Sequence, residues 1–169
     1  MQSINHIIEA PLKLFGRYEV RIVITGGVAA TLYGSAQLTN DLDVCYARDQ
    51  TNLEKLATAL QSVNPKLRGA PENLPFILDP ETLWRGLNFT FTTDIGNLDL
   101  LGEVPGVGGY EEVLAGSVIF ELFGFPLRVM DIGKLIIAKR TAGRPKDLIA
   151  IPELEAIQEL QIREQGKRQ

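Results

Sequence analysis

Asp41 and Asp43 stand two residues apart in the run Asp41-Leu42-Asp43-Val44-Cys45-Tyr46. That run has an extended pattern, which puts both carboxylates on one face because strand side chains repeat every two residues. Two like charges a few ångströms apart repel, so such a pair belongs at a wetted strand end or around a divalent cation that takes hard oxygen ligands. A third carboxylate, Asp99, comes from the segment LNFTFTTDIGNLDLL at 87–101. There Leu87, Phe89 and Phe91 share one face, and Asn88, Thr90 and Thr92 the other. With Asp94-Ile-Gly-Asn97 as a four-residue turn, Thr92 opposes Asp99 and Phe91 opposes Leu100, so Asp99 projects among threonines. Upstream, the β-branched run Arg21-Ile-Val-Ile-Thr25 stops at Gly26-Gly27, followed by a short helix over Val28–Tyr33 and a Gly34-Ser35 turn. The free N–H groups of that helix, beside residues without a Cβ, suit a phosphate. Backbone N–H groups and a hydroxyl at the phosphates, with carboxylates holding Mg²⁺ against the reacting oxygens, are the parts that phosphoryl transfer from a nucleoside triphosphate needs. Read alone, Asp-x-Asp is equally a charged, solvated strand end.

The elements that must position these residues follow from periodicity. Residues 3–16 carry Ile4, Ile7, Ile8, Leu12 and Phe15 near helical spacing, and Pro11 predicts a break. His6, the single histidine, has no Cys or second His as a metal partner and carries no claim. Thr51 and Glu54 have capping-box spacing ahead of the stripe Leu53, Leu56, Ala57, Leu60. Residues 64–86 hold prolines at 65, 71, 75 and 80 and read as an irregular connection, with Trp84 as a core plug near its end. The glycine-rich 102–109 lacks the Lys-Ser/Thr of a Walker A loop and reads as a plain loop. Val118–Met130 forms a second hairpin turning at Gly124. Asp131 caps a helix to Thr141, and a last helix bears Leu148, Ile151, Leu154, Ile157 and Leu160, with Pro152 a kink or restart and a frayed polar tail.

At 169 residues with 45% hydrophobic content, the chain has material for one ordinary domain. A net charge of −4 argues against broad adhesion to nucleic acid or membranes. One cysteine, Cys45, allows no internal disulfide, no run approaches the ~20 apolar residues of a membrane span, and the N-terminus lacks a signal design. A cytoplasmic location without membrane attachment is expected.

The glycine pair, Gly34-Ser35, Thr39-x-Asp41-x-Asp43, Asp99 on a later strand, and Lys139 with Arg144-Pro-Lys146-Asp147 resemble the minimal nucleotidyltransferases of the DNA polymerase β superfamily, most closely the AbiEii/MenT-type toxins. The resemblance covers roughly residues 20–160 and implies an α/β (α+β) fold, a mixed twisted sheet with helices on one face and an acidic cleft on the other. It also implies Asp41, Asp43 and Asp99 as catalytic ligands of one or two Mg²⁺ ions. Gly26, Gly27, Gly34, Ser35 and Thr39 then lie by the triphosphate, with Lys139, Lys146 and Asp147 as supporting groups. The implied partners are an NTP, an acceptor hydroxyl on RNA, protein or a small molecule, and an antitoxin. Two positions depart from the pattern: Gln37 stands where relatives often carry Arg, and Ala150 where they often carry a second Asp. These departures keep open a second function, a catalytically impaired relative serving as a nucleotide-binding or protein-interaction module.

Overall fold

The computed structural model describes residues 2–167, with side chains from residue 5 onward except His6, so the sequence readings of Ile4 and His6 lie outside the described side chains. Seven strands form one mixed sheet in the order β3-β4-β5-β2-β1-β7-β6. They are β1 (Ile22–Thr25), β2 (Asp41–Tyr46), β3 (Lys66–Leu67), β4 (Asn88–Thr93), β5 (Gly96–Leu101), β6 (Val118–Leu122) and β7 (Phe125–Val129). Two parallel contacts, β1 with β7 and β2 with β5, join three antiparallel pieces. Seven helices accompany them among the described residues: α1 (Gln2–Arg17), α2 (Gly26–Tyr33), α3 (Gln50–Gln61), α4 (Pro80–Arg85), α5 (Tyr110–Leu114), α6 (Ile132–Ala142) and α7 (Pro145–Gly166). The chain therefore has the mixed α/β architecture that its residue pattern predicts. No described helix is long and apolar enough to cross a membrane.

Alternation sets the two faces of the sheet. Leu42, Val44, Leu98 and Leu100 are fully buried in the core, where α1 packs across β2 and β5 and α3 packs against α1. Each such side chain contributes about 1.5–3 kcal/mol on burial, so a one-residue slip of β2 or β5 that turned either pair outward is strongly disfavoured. The same register holds Asp41, Asp43 and Asp99 on the other face, which opens as a cleft. At its far end that face is closed by α5, whose Glu112 helps to push the buried Cys45 thiol up to about 12, after burial as the larger cause.

Several local expectations are corrected. The β4–β5 turn has two residues, Asp94-Ile95, rather than four, so Thr90 opposes Asp99 and Phe91 opposes Leu98. A shift of two residues preserves the side-chain face, and Asp99 stays polar-side. Helix α1 runs through Pro11 because Ile8, Leu12 and Phe15 are buried along it, and packing outweighs the missing hydrogen bond. Likewise α7 continues through Pro152 to Gly166, with Ala150, Ile151 and Leu154 buried. The cap of α3 is Asp49, which accepts from Asn52 N, rather than the Thr51–Glu54 box. Residues 64–86 contain β3 and α4. Trp84 is 60% exposed rather than a core plug, with the Arg48 guanidinium carbon 5.6 Å from its ring centroid.

Candidate active site

Parallel pairing of β2 with β5 sets Asp43 directly beside Asp99 and Asp41 beside Asn97, whose amide donates to Asp41 Oδ1 at 3.1 Å. Thr25 is the partner of Asp43 on β1, and Thr90 the partner of Asp99 on β4. The three carboxylates thus share one face. They line a cavity of about 440 Å³ together with Gly26, Gly27, Gln37, Thr39, Lys139, Arg144, Lys146 and Asp147.

The glycine pair has a steric role that its types alone did not reveal. Gly26 has φ +63°, and a Cβ there would stand 2.0 Å from Asp43 Oδ2; one on Gly27 would stand 2.7 Å from Thr39 Oγ1. The Asp43 carboxylate lies against this bare backbone and accepts a long hydrogen bond from Gly27 N at 3.4 Å. Gly34 and Ser35 take another position. Gly34 is the left-handed C-cap of α2, while buried Ser35 donates from Oγ to Glu153 Oε2 at 2.6 Å, and Ala36 N donates to Glu153 Oε1 at 2.9 Å. Both residues stand outside the cavity lining, and the turn they form is tied to α7.

Electrostatics reflect the crowding of acids. Burial, then the neighbouring Asp99 and Asp41, push the Asp43 carboxyl up to about 7 against the weaker pull of Gly27 N–H and Lys146. Burial also raises Asp99, opposed by Arg68 and Lys146 and assisted by Asp41. Across the cleft, Asp147 is buried at the start of α7. Desolvation there is outweighed by Arg144 and Lys139, which hold its carboxyl below the ordinary range. Arg144 Nε donates to Asp147 Oδ2 at 2.5 Å, and the buried Lys139 Nζ to Oδ1 at 3.3 Å. Asp147 thereby anchors Arg144 at the N-cap of α7, while Lys146 is exposed and its charge acts on both Asp43 and Asp99.

Sequence reasoning missed Arg68. It follows β3, and its guanidinium bonds Asp41 Oδ2 at 3.0 Å, Asp99 Oδ1, and the Phe91 carbonyl at 3.3 Å. The only local signal was the three-residue alternation Lys66-Leu67-Arg68, too short to mark a strand. In this arrangement no three acidic, His or Cys side chains among the described residues form a ready metal-holding group. The donor set nevertheless fits a divalent cation of the Mg²⁺ class: three carboxylates supply hard oxygens only, and Arg68 already places positive charge between two of them.

No protein-family model and no curated protein matches the chain. Solved structures do. Lincosamide antibiotic adenylyltransferase LnuA, determined with lincomycin bound, superposes with a TM-score of 0.60 at 14% identity, over 89% of this chain and 95% of its own. The antibiotic-resistance factor ANT(2'')-Ia gives 0.57 at 12% identity, over 99% and 95%. A candidate nucleotidyltransferase (TM1012) from Thermotoga maritima gives 0.54 at 16% identity, over 86% and 90%. At these identities the shared property is the fold. The chain has a nucleotidyltransferase fold, with its carboxylate cluster on the open face of the sheet.

Proposed function

We propose that this chain is a metal-dependent nucleotidyltransferase that moves a nucleotidyl group from an NTP to a hydroxyl of an acceptor. The reading is carried by one observation: Asp43 and Asp99 lie side by side on adjacent parallel strands, with Asp41 on the same face, in a cleft whose opposite wall bears Lys139, Arg144 and Lys146. Asp41, Asp43 and Asp99 would hold Mg²⁺, which when bound lowers the pKa of the attacking hydroxyl and neutralises charge on the leaving pyrophosphate. Gly26 leaves room for the Asp43 carboxylate and Gly27 for the Thr39 side chain, and Gly27 N–H and Thr39 border the phosphate side. Lys146 and Arg144 draw the polyphosphate toward the acidic wall, and the buried Lys139–Asp147 pair fixes the backbone from which they project. Asp99 would accept the proton of the attacking hydroxyl at a carboxylate oxygen. A small hydroxyl-bearing compound is the acceptor class we favour, because two structural neighbours are an antibiotic adenylyltransferase and an antibiotic-resistance factor.

The test is incubation with each α-labelled NTP and Mg²⁺ in the presence of a panel of lincosamides and other hydroxyl-bearing antibiotics, total RNA, or cellular protein. Label should move to one acceptor class with pyrophosphate release, and Asp41→Asn and Asp43→Asn should abolish both. Absence of pyrophosphate release under every condition defeats the enzyme reading. Metal-dependent nucleotide binding without release would instead assign a binding module, the reading favoured by Gln37 in place of a cation. Growth arrest on expression of the chain alone, relieved by a co-expressed protein partner, tests the toxin-like branch of the resemblance.

A further inference from the structure

We infer that Arg68 is a displaceable internal cation of the acidic cleft, neutralising Asp41 and Asp99 in the resting protein and obliged to leave before a divalent cation can use the same oxygens. The inference rests on the metal-dependent reading above and adds a residue to it. Three observations carry it. First, Arg68 bridges two of the three carboxylates proposed as metal ligands, through separate guanidinium nitrogens, so a cation bound by both Asp41 Oδ2 and Asp99 Oδ1 competes with it directly. Second, the arrangement is incompletely satisfied. Arg68 Nε is buried and has no hydrogen-bond partner, which lowers the cost of withdrawing the side chain. Third, withdrawal needs no unfolding: Arg68 N donates to the Thr90 carbonyl at 2.9 Å, so the backbone stays paired to β4 while a side chain still 31% exposed rotates toward water. The guanidinium thus keeps three crowded acids tolerable without metal and sets a threshold concentration for metal entry.

The experiment is Mn²⁺ binding to the full chain, followed by calorimetry and by the EPR signal of free Mn²⁺, for the wild type, Arg68→Gln and Arg68→Ala. Removing a competitor held by two charge-assisted bonds should tighten Mn²⁺ binding by about tenfold or more. Unchanged or weaker binding overturns the inference, since a residue that merely braced the carboxylates would lower affinity when removed. A second measurement uses the wild type alone and does not depend on variant folding. Arginine-side-chain NMR should show hindered Arg68 guanidinium rotation without metal and free rotation at saturating Mg²⁺, and rotation that stays hindered at saturation overturns the inference. If the wild type and the variants bind Mn²⁺ equally, only the inference falls. If none of them binds it, the metal-dependent reading falls as well.

Discussion

Replacing Asp43 by Asn should make the metal-free protein more stable at alkaline pH and flatten its pH dependence. Asp43 is pushed up to about 7 chiefly by burial and then by the facing Asp99, from an unfolded-chain value of 3.8. Between those values the folded chain keeps a proton that the unfolded chain has released. The wild type is therefore at its best, as far as this group is concerned, below about pH 4, loses stability as pH rises, and has lost the full contribution above about pH 7. A carboxyl moved that far corresponds to on the order of 4 kcal/mol. Its open side faces the cleft, where water takes up part of the charge, so about 2 kcal/mol is the expected gain for Asp43→Asn at pH 8. Near pH 4 the two proteins should match. Urea denaturation in EDTA, repeated from pH 4 to 8, measures this directly. Parallel stability curves for the two proteins, or an Asp43→Asn variant less stable at pH 8, would refute the picture of Asp43 as a carboxylate strained by its neighbours.

Gln37 lines the cleft, with its amide donating to the Lys146 carbonyl at 3.2 Å. Gln37→Arg should tighten NTP binding by roughly ten- to a hundred-fold, the equivalent of about 1.5–3 kcal/mol for one charge-assisted contact; unchanged affinity by calorimetry means that the residue does not face the phosphates. Gly26→Ala should expel the Asp43 carboxylate from its place, because the new Cβ would stand 2.0 Å from Oδ2 on a backbone at φ +63°. Loss of metal binding with a thermal-melt penalty of about 1–3 kcal/mol is the expected result, and wild-type metal affinity in that variant would contradict it. Asp147→Ala strands the Lys139 ammonium in a buried site and should destabilise the chain by about 3–5 kcal/mol. Lys139→Met combined with Asp147→Leu should recover much of that loss in the same denaturation assay, and a double variant no better than the single one would show that the buried charge is not the cause.

What could be read from the chain alone was local and periodic. The two-residue repeat of Asp41-Leu42-Asp43-Val44 and of Phe89-Thr90-Phe91 sorts carboxylates from core residues without reference to any other element. The face of Asp99 therefore came out correctly even though the turn was misjudged by two residues, since an even error leaves parity intact. Asp131, read as the cap of α6 from type and position, accepts from Lys134 N at 3.1 Å, a contact three residues away. Decisions that needed distant partners were not in the sequence. Pro11 read as a break and Pro152 as a kink or restart because the packing that carries α1 and α7 through them is supplied by other elements. The bond from Ser35 to Glu153 was not legible either, because Glu153 lies 118 residues away on α7. Arg68 carried no readable signal, although it bonds both Asp41 and Asp99, 27 and 31 residues distant. Side-chain alternation is dictated by the strand backbone itself, whereas which charges meet across a cleft is decided by the pairing of strands and the docking of helices, and only the folded chain brings those together.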